Sequence, residues 1–164
     1  MRTKSIAFPN SLQELETLFD KLQRVATNKM LVSGVLALDT GEPLPVISQD
    51  MYYMLDGHVY LADNSTVIAP LDGTVTADKF NVYVYTLDSA GDTHCYMGTE
   101  GATLAAVVFP EIPDGEVAMG FISVNPTGTG NFVGGTDDLD DGTVVPNAVF
   151  YNPLGSFLPE LTNL

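Results

Sequence analysis

Tryptophan is absent from this chain of 164 residues, cysteine occurs once, histidine twice, and lysine and arginine together only six times. Each shortage excludes something. With Cys95 alone there is no internal disulfide, so the fold must hold by burial. A lone thiol on a strand reads as a small core residue before it reads as a nucleophile. Two histidines, His58 and His94, do not supply the three or four ligands of a zinc site. His94 and Cys95 are neighbours, and neighbours on a strand point to opposite faces, which argues against a dyad. No apolar run approaches the roughly 18 residues of a spanning helix. Six cations against 21 carboxylates leave a net charge of −15. Phosphate backbones and anionic lipid repel such a chain, so nucleic acid and membrane are poor partners. The start, MRTKSIAFPNSLQELE, turns polar after Phe8 and has no signal-peptide core, which gives the expectation of a cytosolically made, unprocessed protein.

The few cations are unevenly placed. Arg2, Lys4, Lys21, Arg24 and Lys29 face only Glu14, Glu16 and Asp20 within residues 1–29, a net +2. The remaining residues, 30–164, set Lys79 against eighteen carboxylates, a net −17. The asymmetry divides the chain into an N-terminal arm with an amphipathic helix (1–29) and a β-rich domain (30–164). A basic arm could dock on an acidic neighbour; the plainer reading is a helix with a solvated charged face.

Residues 10–27 carry the one convincing helical pattern. Pro9 precedes Ser11 and Glu14, a Ser-x-x-Glu capping box. Leu12, Leu15, Leu18, Phe19, Leu22, Val25 and Ala26 then recur at helical spacing. Their apolar face must be covered, by the chain's own sheet or by a partner. After Lys29 short β-rich runs alternate with turn residues. Residues 31–38 contain Gly34, a sign of a bulge or close backbone approach. Glu42-Pro43-Leu44-Pro45 is a stiff connector. Residues 80–87 alternate, with Asn81, Tyr83 and Tyr85 opposed to Phe80, Val82 and Val84. Ser89-Ala90-Gly91-Asp92 turns the chain into 94–97. Residues 103–109 read as a continuous strand, and 117–124 as another, with Ala118, Gly120 and Ile122 opposed to Met119, Phe121 and Ser123. Asp56-Gly57, Asp72-Gly73 and Asp141-Gly142 lie among β-formers and predict tight reversals. Many short strands with Gly, Pro and Asp punctuation predict a mainly β fold, an antiparallel sandwich or jelly-roll-like barrel with one N-terminal α-helix.

Chemistry is sparse. Residues 120–157 hold no His, Cys, Lys or Arg, and so little with which to perform acid–base or nucleophilic catalysis. The acidic turn Asp137-Asp138-Leu139-Asp140-Asp141-Gly142 is the best calcium candidate, but Leu139 and Ala148 stand where an EF-hand needs ligands. An exposed hairpin tip is the plainer reading. Nothing selects one carboxylate pair for glycoside hydrolysis. Asn125-Pro126-Thr127-Gly128-Thr129-Gly130 has no phosphate-loop lysine and no following helix. The seven tyrosines are a possible ligand surface or interface, and more plainly half-buried sheet positions. No catalytic residue, cofactor or metal ligand is therefore expected, and no enzyme.

From Leu31 to Asn152 the layout resembles small β-rich virion proteins of tailed bacteriophages. The resemblance rests on Gly120-Phe121-Ile122-x-Val124, on Asn131-Phe132-Val133-x-Gly135-Thr136, on Phe150-Tyr151-Asn152, and on Tyr53-x-x-Asp56-Gly57-x-x-Tyr60. The Ala- and Pro-rich passage 105–115 fits the same picture. The resemblance implies a capsid-decorating or cementing module on the phage head surface, made in the host cytoplasm. It would bind the major capsid protein or another virion protein as a homo-oligomer, with a trimer as one form. A head-fibre or tail module contacting host glycans through Tyr-bearing strands and the turns near Gly128 and Asp140, with binding lost when Tyr83 or Tyr85 is changed, is the alternative. The resemblance supplies no catalytic residues. Leu15, Leu18, Phe19 and Leu22, with Lys21 and Arg24, are the expected partner-binding residues on the helix.

Overall fold

The computed structural model describes residues 12–127, 129–145 and 148–158. Ser11 and the capping box it would complete lie outside these, as do Gly128 and the chain's first residues. The fold is mainly β, with one helix and several antiparallel sheets arranged as a β-sandwich. Helix α1 spans Leu12–Thr27 and runs through one residue, Asn28, into β1 (Lys29–Val32). There follow β2 (Leu36–Ala37), β3 (Val46–Ile47), β4 (Met51–Leu55), β5 (His58–Ala62) and β6 (Thr74–Val75). The second half holds β7 (Asn81–Asp88), β8 (Thr93–Met97), β9 (Glu116–Val124), β10 (Phe132–Val133) and β11 (Val149–Tyr151). One layer is the sheet β1-β4-β5 and the other is β11-β9-β7-β8, and β2-β3 and β10-β6 are separate two-stranded pairs. All the pairings are antiparallel.

The layers meet over one large core. Met30, Met51, Tyr53 and Leu55 come from the three-stranded side, while Tyr83, Tyr85, Leu87, Met119, Ile122 and Val124 come from the four-stranded side. Phe132 and Leu139 close it. A second, smaller core of Val84, Ile112 and Ala118, with Phe109, Phe121 and Phe157 packed on it, covers the opposite face of β7 and β9. Both faces of β7 are thus buried, and Tyr83 and Tyr85 are wholly enclosed instead of half-buried. A short strand read from alternation alone looks one-sided, because alternation does not say whether the polar-tipped face is covered.

Three local readings change. The expected strand 103–109 is a 3-10 turn at Leu104–Ala106, followed by a single bridge from Val108 to Thr99. Two alanines after Leu104 have no β-branched bulk to hold an extended run. The alternation expected along 117–124 breaks, because β9 pairs Ala118 with Thr86 but Gly120 with Tyr85. This one-residue bulge sends Val117 and Met119 to the large core together with Ile122, while Ala118 and Phe121 face the small one. Only Asp56-Gly57 makes a two-residue hairpin, with Leu55 opposite His58 and positive φ at both turn residues, 51° and 81°. Asp72-Gly73 leads into β6 instead, and Asp141-Gly142 sits in a turn with no strand pair across it. The run 31–38 divides into β1 and β2 around Gly34, where a Cβ would lie 2.9 Å from Ile47 Cγ2 and Met51 Sδ. The close approach predicted at Gly34 is real.

Candidate interaction surface

Helix α1 leans on the body by its polar side. Arg24 is buried, and its Nη2 donates to the carbonyls of Ile112 (2.9 Å) and Pro113 (3.3 Å). Its Nη1 meets the Asp114 carboxylate at 3.2 Å, and Lys21 Nζ approaches Glu111 at 3.8 Å. Asn28 then fixes the exit from the helix. Its Oδ1 accepts from Asp56 N–H at 2.9 Å, its Nδ2 donates to Glu116 O at 3.4 Å, and Gly57 N–H donates to Thr27 O. Lys21 and Arg24, expected to greet a partner, therefore serve the chain's own 111–114 segment. Guanidinium suits that place, since one planar fork reaches two carbonyls and a carboxylate at once.

The consequence appears on the other side of α1. At about 100° per residue, Leu12, Leu15, Phe19 and Leu22 lie roughly 120–180° around the helix from Arg24. Leu12 is 80%, Phe19 62% and Leu22 55% exposed, while Leu15 and Leu18 are half-buried. The apolar stripe does not pack on the chain's own sheet. It points to solvent, and Arg24 is the only buried residue of the helix. Large side chains in one row on a water-facing helix make a candidate interaction surface, since burying each would remove apolar area from water.

Replacing Arg24 by alanine leaves the two carbonyls without their charged donor and the helix without its clamp. We expect opening of α1 to become about 10–100-fold more frequent, because a hydrogen bond from a charged donor contributes roughly 1.5–3 kcal/mol. Hydrogen exchange along 12–27 measures it; unchanged protection there, with the rest of the molecule intact, sinks the clamp.

The other sequence candidates are placed apart from this surface. In the acidic turn, Asp137 Oδ2 accepts from Val133 N–H at 2.7 Å, Asp141 Oδ1 from Thr143 N–H at 2.8 Å, and the Asp140 carboxylate from Gly41 N–H at 3.2 and 3.3 Å. These carboxylates cap backbone, and Leu139, the residue that breaks the calcium pattern, plugs the core at 2% exposure. Among the described residues no three His, Cys, Asp or Glu side chains are grouped to hold a metal ion. His94 and Cys95 do point apart. His94 stacks on Tyr96 and meets Asp88 Oδ2 at 3.3 Å, whereas Cys95 packs on the large core opposite Tyr85. Burial pushes the Cys95 thiol up to about 12, partly offset by the Tyr85 hydroxyl beside it.

On the His94 side, Glu116 is buried and accepts from Thr86 Oγ1 and, at 2.8 Å, from Tyr96 O–H. Burial and this Glu116 partner raise the Tyr96 phenol to about 12. Burial alone would raise the Asp88 carboxyl, but hydrogen bonds from Asp92 N–H, His94 and Ala90 N–H hold it below its ordinary value. Every carboxylate oxygen here answers a donor inside the fold, so the cluster works as a strut between β7, β8 and β9. An open groove of about 370 Å³ runs between residues 39–47 and 64–68, and its walls hold no His, Cys, Lys or Arg. Tyr83 and Tyr85, the tyrosines whose change would test glycan contact, are wholly buried.

What sequence reasoning missed is a second apolar surface. The outer face of β1-β4-β5 carries Val32, Tyr52 and Leu61 in one cross-strand row and Lys29, Met54 and Val59 in the next. Val59 is 61% and Leu61 54% exposed. The signal was present in His58-Val59-Tyr60-Leu61-Ala62, a strand apolar on both faces, which an exposed sheet does not need. Among the described residues no helix is long and apolar enough to cross a membrane. The chain matches no protein-family model, no curated protein and no solved structure.

Proposed function

We propose that this protein is a structural subunit of a tailed-phage particle that decorates or cements the head by binding the major capsid protein, as a homo-oligomer. One observation carries the reading: an amphipathic helix clamped by its polar side to an acidic β-sandwich, with Leu12, Phe19 and Leu22 held out to solvent. A chain that keeps its apolar helix face uncovered is built to meet another chain. Leu15, Leu18, Phe19 and Leu22 form the partner-binding stripe, and Arg24 and Lys21 orient it. The acidic body faces outward and resists nonspecific adhesion to nucleic acid and anionic lipid. Its site is the virion surface, reached after synthesis in the host cytoplasm.

A cementing subunit stabilises a shell because it binds the assembled state and not its separated parts. At a hundredfold excess over Kd that linkage is worth about 2.7 kcal/mol per site. Shells incubated with the protein should therefore melt at a higher temperature than bare shells, and the Phe19→Asp, Leu22→Asp variant should give no gain. Equal melting temperatures with and without the natural protein sink this function.

A further inference from the structure

We propose that Asp72-Gly73 is a self-modification site, where the Gly73 nitrogen closes on the Asp72 carboxyl and the chain rearranges to isoaspartate. Four Asp-Gly pairs occur in the sequence, beginning at Asp56, Asp72, Asp114 and Asp141. Glycine makes each a chemical candidate, because no Cβ crowds the nitrogen that must attack. The fold treats the four differently. Gly73 N–H donates to Oδ1 of its own predecessor, Asp72, at 2.7 Å. That contact sets the nitrogen about 3–3.5 Å from Cγ, the separation of a near-attack pair. At the second pair, Gly57 N–H donates instead to Thr27 O at 3.4 Å. The Asp114 carboxylate is taken by Arg24 Nη1 at 3.2 Å. Asp141 Oδ1 accepts from Thr143 N–H, one residue beyond its glycine, at 2.8 Å. Of these four described pairs, only Asp72-Gly73 turns its carboxylate onto its own following nitrogen.

The rearrangement needs nothing but water. The Gly73 nitrogen bonds to Asp72 Cγ and gives up its proton, the carboxyl hydroxyl departs as water, and a cyclic imide results. Water then opens the imide at either carbonyl. Opening at Cγ restores aspartate. Opening at the former main-chain carbonyl leaves the chain running through Cβ and Cγ, one methylene longer, with the free carboxylate on Cα. Asp72, Gly73 and Thr74 are all exposed, so water reaches both carbonyls.

The added methylene falls where the main chain has no slack. Leu71 and Val75, on either side, are anchored in the large core at 2% and 0% exposure. Gly73 O accepts from Gly134 N–H at 2.9 Å. A Cβ at Gly134 would lie 3.0 Å from the Leu71 carbonyl carbon, and one at Gly135 2.9 Å from the Leu71 oxygen. Strand β6 has only two residues, and its partner β10 carries Phe132. Lengthening the chain after Asp72 therefore pulls Gly73 off Gly134 and loosens the pair that holds Phe132 in the core. The site couples the age of the molecule to the hold of β10. It owes nothing to the assembly proposed above, and neither test bears on the other.

Full-length natural protein is aged in mildly acidic buffer and its peptides are mapped by electron-transfer mass spectrometry, which tells isoaspartate from aspartate. Isoaspartate at 72 should exceed that at 56, 114 and 141 by about tenfold to a hundredfold, the range that positioning supplies. In denaturant the lead should shrink to a few-fold, because only the local sequence is left. Variants are made at 72 and not at Gly73, where φ is 90° and a Cβ would meet Met97 Sδ at 2.6 Å. Asp72→Asn should react faster through the same imide, losing ammonia in place of water, and Asp72→Ser should not react. Circular dichroism confirms that both fold. Hydrogen exchange reads the consequence: Gly134 N–H should exchange about 2–10-fold faster in aged natural protein than in aged Asp72→Ser, as loss of one hydrogen bond predicts. Isoaspartate absent from 72, or spread evenly over the four pairs of the folded protein, overturns the site. So does an undiminished lead in denaturant, which would assign it to sequence alone. Equal Gly134 exchange in isomerised and unreacted chains overturns the loosening of β6 and β10.

Discussion

Phe132→Ala should remove about 3–5 kcal/mol of folding stability, more than any surface change in this molecule. Phe132 is wholly buried on β10, opposite Val75, and meets the Tyr83 ring edge-on at 6.1 Å between centroids. The aromatic pair adds its own increment beyond area. The ring belongs to the cluster that joins both layers, so its removal opens a cavity that no single loop can fill. Domains of this size are stable by roughly 5–15 kcal/mol, so the variant sits near the edge of folding. Chemical denaturation at constant m-value reads the loss directly. Val133→Ala, one residue along and 40% exposed, should change stability by no more than about 0.5 kcal/mol. Should the two variants prove equally stable, the core described here is wrong.

Alkali should unfold the protein well before it unfolds most acidic domains. Burial, with the Cys95 thiol beside them, holds the Tyr83 and Tyr85 phenols far above the ordinary tyrosine value. Cys95 and Tyr96 are raised to about 12. For acids raised by folding, the unfolded chain releases protons first. The stability these groups give is complete below their unfolded values, about 8.5 for the thiol and about 10 for the phenols, and is lost as pH climbs through the folded ones. Between about pH 9 and pH 12 the fall should be on the order of several kcal/mol. Stopped-flow pH jumps should show tyrosinate absorbance from Tyr83 and Tyr85 rising with unfolding and not ahead of it. The Tyr85→Phe variant should lose less stability over the same range. Ionisation of all seven tyrosines in a folded molecule sinks the argument.

Much of this molecule could be read in one dimension. The helix follows from Leu12, Leu15, Phe19 and Leu22 with charges between them, and the hairpin at Asp56-Gly57 from two residues that tolerate positive φ. The sandwich class follows from short β-runs cut by Gly, Pro and Asp. These are local preferences, and neighbours in sequence are enough to express them.

The remainder depended on residues far apart in the chain. No periodicity says that Arg24 would find Ile112 and Pro113 and turn the apolar face of its helix outward, because that choice is made 88 residues away. Likewise the bulge in β9 comes from its register on β7, and it alone sends Met119 inward with Ile122. Composition and spacing set most of which segments are helix and strand, through backbone sterics and side-chain shape, with residues 103–109 the exception. Which faces are left open was settled by long-range pairing, since burial is a property of what lies opposite and not of what lies next.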